Sequence, residues 1–328
     1  PTEADDRHFG TLEQDALNCV RGSAGYSIGQ LLAKHPSMYG VLGPAIEHLT
    51  QYSNIAVRVA GLEACLPMLA VDKNQALQWY LSAILDSPDP ILATRQSQRL
   101  IRYTYLTHLE QLRPVLGRMI RSLFEDVAEA GAYWVTAVFL VTDAEQGRYE
   151  ECLSGTAIQR RGVAKVSASL LAHADHWEKA QSVLFQLADD PDESVRREVA
   201  NCFRKIDLQK TGTPRSWARF ARSRAFRTEP SHLLQALENQ SGDLLPFADC
   251  ILAVATSFAE DFSTAIQDPS SSLALEGSHY LVPLLLRLYE QAEGQNPVLH
   301  QNCLDLWDRL LEARVGSAIG LNRKIDDL

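Results

Sequence analysis

Residues 190–200 read DPDESVRREVA, and this segment gives the clearest indication of the fold class. Asp and Pro directly before an apolar residue are typical of a helix start, because the first-turn amides need a side-chain acceptor and Pro needs no amide. Val195 and Val199 then recur at helical spacing, and Ala200 is small enough to let a neighbouring helix approach closely. The pattern predicts the second helix of a helical hairpin.

The same pattern recurs along the chain. An apolar residue, an arginine and a small residue come together around Arg21, Arg58, Arg161 and Arg196. The distance from Arg21 to Arg58 is 37 residues, the distance from Arg58 to Arg95 is again 37, and the distance from Arg161 to Arg196 is 35. A fixed period of this length is the signature of a repeat architecture, in which each unit packs on its neighbours.

One repeat in this series lacks its arginine. Arg95 and Arg161 are 66 residues apart, which is twice 33, and Glu129 lies near the midpoint in the segment Ala128–Ala132. Six phased helical repeats therefore account for residues 1–208. Alternating β-branched runs with strand-type turns are nearly absent, so the fold class is predicted to be all-α.

The regular spacing of the repeat pattern is lost after residue 208. The segment QKTGTP at residues 209–214 is polar and contains helix breakers, and we predict a subdomain boundary there. Residues 209–328 are predicted to form further helical hairpins, either as a separate cap or as a continuation of the repeats. One of these predicted helices covers residues 215–227.

Composition limits the classes of function. The 328 residues carry a formal net charge of -10, with a pI near 5.4, which argues against a general polyanion binder. The six cysteines are widely spaced without a CxxC pair, as is typical of reduced, buried thiols in a cytoplasmic protein. No apolar run is long enough to span a membrane. Because the sequence begins at Pro1, we expect either a piece of a longer polypeptide or removal of an initiator methionine before Pro1.

The repeat pattern resembles the HEAT/ARM family of α-solenoids. A narrower resemblance rests on LNCVRGSA at residues 17–24, and on LRLYEQA at 286–292 with CLDLWDRLL at 303–311. These runs are similar to the C-terminal helical regions of bacterial STAND-type ATP-binding proteins of antiphage defence. The resemblance implies a right-handed superhelix of stacked hairpins that recognises an invader component on behalf of an attached NTPase or effector. A GxxxxGK[ST] phosphate loop does not occur in this sequence.

Candidate chemical sites have structural interpretations that suit the repeats better. The segment GYSIG at residues 25–29 matches the hydrolase nucleophile elbow, but no strand precedes Ser27, and Gly25 and Gly29 fit helix packing. His173 and His176 could share one helical face, but a matched set of further metal ligands is missing. Asp305 with Asp308, and Cys303, fit a terminal amphipathic helix. We therefore predict no catalytic residue, no metal and no cofactor.

A basic segment at residues 204–227 stands out in this acidic chain. On a single helix, Arg215, Arg219 and Arg222 would line the face opposite Trp217, Phe220 and Ala221. Such a stripe would steer acidic partners. The alternative interpretation is a solvated face, or one that pairs with neighbouring acidic repeats. The candidate partner-binding residues are Arg215, Arg219, Arg222, Arg224 and Arg227.

The sequence thus predicts a cytoplasmic, non-catalytic sensor module that binds a macromolecular protein partner, which in the resemblance is a phage component. Two alternatives remain open. One is a passive scaffold or adaptor. The other is a nucleic-acid-binding solenoid, which would need a positive groove built from further basic residues, namely Arg99, Arg102, Arg113, Arg118, Arg121, Arg160 and Arg161.

Overall fold

The structure is a computed structural model that describes residues 9–204, 206–208, 214–240, 242–265 and 277–312. Within these ranges, the side chains of residues 9–11, 214–215, 261–265 and 277–278 are not described. Helices make up most of the described residues, which contain no strand, so the predicted all-α class is confirmed. None of the helices in this part of the chain is both long enough and apolar enough to cross a membrane.

The chain divides into two compact units, residues 1–163 and 164–328, and the division falls within helix α10. The helices that begin in the first unit are α1 (Phe9–Asn18), α2 (Val20–Lys34), α3 (Tyr39–Thr50), α4 (Ile55–Cys65), α5 (Lys73–Leu85), α6 (Arg95–Thr104), α7 (Leu109–Ile120), α8 (Glu125–Thr142), α9 (Gln146–Leu153) and α10 (Ala157–Leu170). Short 3₁₀ turns cover Pro36–Met38, Leu66–Ala70 and Asp89–Ala93.

The helices of the second unit are α11 (Trp177–Leu187), α12 (Glu193–Ala200), α13 (Pro214–Phe220), α14 (Arg224–Thr228), α15 (Ser231–Glu238), α16 (Ala248–Ala265), α17 (Val282–Ala292) and α18 (Pro297–Glu312). Asn201–Arg204 and Leu245–Phe247 form 3₁₀ turns, and Gly277–Leu281 forms a π-helical turn. The predicted boundary after residue 208 lies beside residues 209–213, which are outside the described residues.

Side-chain caps fix the starts of the helices that carry the repeat pattern. The Asn54 side chain accepts hydrogen bonds from the amides of Ala56 at 2.9 Å and Val57 at 3.4 Å at the start of α4. At the start of α12, Asp192 accepts from the amide of Ser194 at 2.9 Å. These bonds satisfy amides that no helical carbonyl can reach. The helix start predicted from residues 190–200 is therefore confirmed.

The core of the first unit depends on closely packed helices. Helix α2 packs on α4, and α7 packs on α8. Gly25 and Gly29 of α2 are buried, and a Cβ at Gly25 would lie 2.9 Å from the Cβ of Ala60 in α4. Side chains of any size at these two positions would separate the helices. The glycines of the GYSIG segment therefore serve helix packing, as predicted.

Aromatic side chains fill the core of the second unit. The Phe203 ring lies 5.3 Å from that of Trp217 and 4.5 Å from that of Phe220, measured between ring centroids. Phe226 and Phe258 meet edge-on with centroids 6.1 Å apart, and the two rings are almost completely buried. Burial of such rings supplies a large share of the hydrophobic stabilisation of a helical core. The unit thus anchors α13 and α14 through their aromatic residues.

The prediction of one helix over residues 215–227 is wrong. The chain turns at Ala221–Ser223, which separates α13 from α14. The Ser223 hydroxyl donates to the carbonyl of Phe220 at 2.7 Å and accepts from the amide of Phe226 at 3.3 Å, so it ends one helix and caps the next. Serine competes with the backbone in this way because its hydroxyl reaches nearby main-chain groups.

Candidate partner-binding site

Two of the predicted arginines line a surface cavity of about 250 Å³ in the second unit. Its walls come from the end of α11 and from the turn that follows α13. We call it the arginine cavity. Its lining residues are Phe185, Ala188, Asp189, Arg219, Arg222 and Ser223.

Backbone hydrogen bonds hold the two walls of the arginine cavity together. The amide of Arg224 donates to the Asp189 carboxylate at 2.7 Å, and the amide of Ala225 donates to the carbonyl of Ala188 at 2.8 Å. Both donors lie in the first residues of α14, whose amides lack helical acceptors. The turn between α13 and α14, which the sequence did not predict, therefore positions Arg222 beside α11.

The arginines point outward because the apolar residues between them are committed to the core. Trp217 and Phe220 are both 2% exposed, whereas Arg219 and Arg222 are exposed. On α13, Arg219 is therefore exposed on the side away from the buried Trp217 and Phe220, and Arg222 is exposed in the turn that follows the helix. The face prediction can be checked only for these two arginines.

Local contacts restrain the two guanidinium groups without neutralising them. The Arg219 guanidinium lies over the Phe185 ring, 4.8 Å from its centroid, a distance within the range of cation–π attraction. Arg222 donates one long hydrogen bond, at 3.4 Å, to the carbonyl of Ala218. Among the described residues, Arg219, Arg222 and Arg224 form no ion pair with a carboxylate. Their positive charges remain available to a partner.

Most of the basic residues named for a nucleic-acid groove form ion pairs with carboxylates. Arg118, for example, donates to Asp89 at 2.7 Å, and Arg161 donates to Glu129 at 2.7 Å. Further ion pairs join Arg99 to Glu63 at 3.5 Å, Arg113 to Glu145 and to Glu110 at 2.6 Å each, and Arg121 to Glu151 at 4.0 Å. Neighbouring carboxylates offset these five charges, whereas Arg102 is exposed on α6.

The other predicted arginines are not among the described residues that line the arginine cavity. Arg224 contributes its backbone amide at the rim, and its side chain is exposed. Arg227 is exposed one turn further along α14. The side chain of Arg215 lies outside the described residues. Sequence reasoning missed Phe185 and Asp189, because only the packing of α11 against the α13–α14 turn brings them to the arginines.

The candidate chemical sites have ordinary structural surroundings. Ser27 lies in the middle of α2, and its hydroxyl donates to the carbonyl of Ser23 at 2.9 Å. Cys303 is buried, and burial raises the pKa of its thiol to about 11, so at neutral pH it is not the thiolate that a nucleophile requires. Asp305 accepts from Gln301 at 2.8 Å on an exposed face. The described residues contain no group of three or more side chains arranged to bind a metal ion.

Comparisons with known proteins do not assign a family. No protein-family model matches the chain, and a search of curated proteins finds no significant match.

Proposed function

We propose that this chain is a non-catalytic protein-recognition module that contacts an acidic surface of its partner through Arg219, Arg222 and Arg224. The observation that carries the proposal is the exposure of these three arginines without carboxylate partners among the described residues, in a chain of net charge -10. Unpaired positive charge on an acidic protein attracts acidic partners and repels basic ones.

A protein partner suits this surface better than nucleic acid does. Nucleic-acid binding needs a line of basic residues that follows the phosphates. Here, Arg219 and Arg222 lie at one small cavity, while basic residues of the first unit, such as Arg118 and Arg161, are held by carboxylates. The net negative charge would oppose contact with phosphates elsewhere on the molecule.

We further propose that the hairpins stack as a HEAT/ARM-like α-solenoid. Two arginines support this arrangement by making equivalent contacts. Arg58 and Arg196 each lie four residues after a capping side chain, and each donates to the carbonyl six residues earlier, at 2.5 and 2.8 Å. Each also donates to a hydroxyl further along the chain. Arg58 donates to Ser87, 29 residues later and just after α5, at 2.8 Å, and Arg196 donates to Thr228, 32 residues later at the end of α14, at 2.9 Å. Repeated contacts of this kind are expected when successive units pack in the same way.

The resemblance to STAND-type defence proteins suggests the wider role of the module. In this proposal the chain is the sensor part of a larger bacterial protein, and partner binding shifts an attached NTPase between two states. A ligand can do this only if it binds one state more tightly than the other. No residue of the present chain would need to perform chemistry.

Affinity capture from bacterial cells, with and without phage infection, tests the proposal. The wild-type chain is compared with the triple variant Arg219→Glu, Arg222→Glu and Arg224→Glu, after nuclease treatment, by quantitative mass spectrometry. The matched control is Arg95→Glu with Arg102→Glu, two exposed arginines of α6. Circular dichroism checks that each variant remains folded.

The proposal expects one protein that the wild-type chain and the control capture after nuclease treatment. The triple variant should recover at most about a tenth as much of it, since reversing charges in an interface costs more than 1.4 kcal/mol. Equal recovery by the triple variant would contradict the proposed surface. Recovery that disappears with nuclease would favour the nucleic-acid alternative.

A further inference from the structure

The arginine cavity differs from a cofactor or drug-like pocket in size and in wall chemistry. Its volume of about 250 Å³ lies just below the range of roughly 300–1,000 Å³ that is typical of small-molecule sites. Its entrance is open to the surface, and its walls combine charged groups with the ring of Phe185 and the methyl group of Ala188. These features suit a single side chain of a partner protein.

The hydrogen-bonding capacity of the arginine cavity lies in its two guanidinium groups. Arg219 stacks on Phe185 and donates no hydrogen bond to the described residues, so its planar donors face no internal acceptor. Arg222 makes only the long bond to Ala218. The Ser223 hydroxyl is already used at the helix cap, where it donates to Phe220 and accepts from Phe226. An incoming acceptor would therefore meet arginine donors first.

The charge of the arginine cavity distinguishes between anions. Arg219 and Arg222 contribute two positive charges, and Asp189 contributes one negative charge that its hydrogen bond from the Arg224 amide keeps in place. One net positive charge complements a monovalent carboxylate. A phosphate monoester carries close to two negative charges near pH 7.5, so its second charge would face the Asp189 carboxylate.

From these contacts we infer that the arginine cavity binds the side-chain carboxylate of a glutamate in the partner protein. The carboxylate lies between the Arg219 and Arg222 guanidinium groups, and its methylene stem packs against Phe185 and Ala188. The cavity prefers this carboxylate to a phosphate because Asp189 opposes the second charge of the phosphate. The inference rests on the proposed function, since it specifies the chemistry that the module recognises.

Nuclear magnetic resonance of the arginine Nε–Hε groups tests, on the full chain, whether the arginine cavity binds a glutamate carboxylate. The signals of Arg219 and Arg222 are assigned from Arg219→Lys and Arg222→Lys. Three probes are titrated at pH 7.5: the N-acetyl amides of glutamate, glutamine and phosphoserine. The glutamate probe should shift both signals, with a Kd at least about threefold lower than that of the phosphoserine probe, and the glutamine probe should shift neither.

Asp189→Asn supplies the matched variant, because asparagine keeps an oxygen that can accept from the Arg224 amide while it removes the negative charge. This change should reverse the preference, so that the phosphoserine probe binds more tightly than the glutamate probe. Tighter phosphoserine binding to the wild-type chain would overturn the inference. Absence of any shift of the two signals at probe concentrations up to about 50 mM would do so as well.

The probe titration and the capture experiment test different claims, so that either one can fail without the other. If the probes fail while the triple charge reversal still abolishes capture of a protein partner, the glutamate assignment is wrong and the recognition module stands. If the glutamate probe binds as expected but capture is unaffected by the charge reversal, the cavity is a carboxylate site and the proposed recognition function fails.

Discussion

At the scale of single residues, arginine side chains connect neighbouring helical segments through backbone carbonyls. Arg58 donates to the carbonyl of Tyr52 at 2.5 Å and to that of Ala83 at 3.1 Å, in addition to its bond to Ser87. Tyr52 lies in the loop before α4, whereas Ala83 lies in the next helix, α5. The guanidinium suits this task because its planar donors can reach several acceptors at once.

We expect Arg58→Ala to lower the free energy of unfolding by about 2 kcal/mol, because carbonyl acceptors that are partly buried lose their donor. Chemical denaturation followed by circular dichroism measures the change. Arg102→Ala, which removes an exposed arginine from α6, is the matched control and should alter stability by less than about 0.5 kcal/mol. Equal effects of the two substitutions would show that the Arg58 contacts contribute little.

His232 makes stability depend on pH. Its Nδ1 is buried without a hydrogen-bond partner among the described residues, and burial lowers the pKa of His232 from its ordinary value of 6.5. Arg204 lowers this pKa further, whereas Glu229 and a hydrogen bond from the ring to the backbone of Ala200 oppose the shift. Near pH 7, the native state therefore holds a neutral imidazole.

Below about pH 6.5, the unfolded chain binds a proton at His232 that the native state takes up only at lower pH, so stability falls as the pH falls. The effect ends once the pH is below the lowered native pKa. We expect the stability difference between the wild-type chain and His232→Gln to shrink from pH 7.5 to pH 5, as measured by denaturant titration. A difference that stays constant over this range would contradict the buried, neutral histidine.

At the scale of helices, glycine sets how closely neighbours approach. A Cβ at Gly131 of α8 would lie 2.7 Å from the amide nitrogen of Ile120 and 2.7 Å from the Cβ of Met119, both in α7. Gly147 of α9, in contrast, has no atom within 4 Å of the corresponding position. The two glycines are therefore a matched pair that differs mainly in helix packing.

Gly131→Ala should destabilise the chain by about 1–2 kcal/mol, because the overpacking cost of roughly 1–3 kcal/mol exceeds the helix-propensity gain of up to about 1 kcal/mol. Gly147→Ala should be neutral or stabilising by up to about 1 kcal/mol. Thermal and denaturant unfolding of both variants supply the comparison. Stabilisation by Gly131→Ala would mean that α7 and α8 are not in close contact.

Much of the helical organisation could be predicted from local sequence pattern. Less of the candidate partner-binding site could be predicted in this way. The cap at Asp192 and the outward face of α13 follow from helical spacing and capping chemistry. The break at Ser223 was missed because serine is compatible with both a helix and a cap. Helical spacing across it would have placed Phe226 on the face of Arg219 and Arg222, which is a signal of the break. Asp189 could not be assigned to the site, since its place there depends on contacts between helices distant in sequence.

At the scale of the whole molecule, charge is distributed unevenly. The chain carries a net charge of -10, many of the arginines in the first unit are paired with carboxylates, and Arg219 and Arg222 border one cavity. This distribution favours local recognition of an acidic group over binding along a polyanion.

Binding of the chain to a fluorescent 30-base-pair DNA duplex should therefore be weak at 150 mM salt, with a Kd above about 100 µM, because non-specific DNA binders fall in the range of roughly 1–100 µM. Fluorescence anisotropy measures it. Binding tighter than about 1 µM that weakens steeply with salt would instead support the nucleic-acid alternative.

Photo-crosslinking in phage-infected cells can detect a protein partner at the arginine cavity. Benzoylphenylalanine replaces either Gln186, which is exposed and follows the cavity residue Phe185 in α11, or Gln30, which is exposed on α2 in the first unit. We expect a nuclease-resistant adduct with one protein from position 186, and no such adduct from position 30. An adduct from position 30 alone, or from position 186 to nucleic acid alone, would contradict recognition of a protein partner at the arginine cavity.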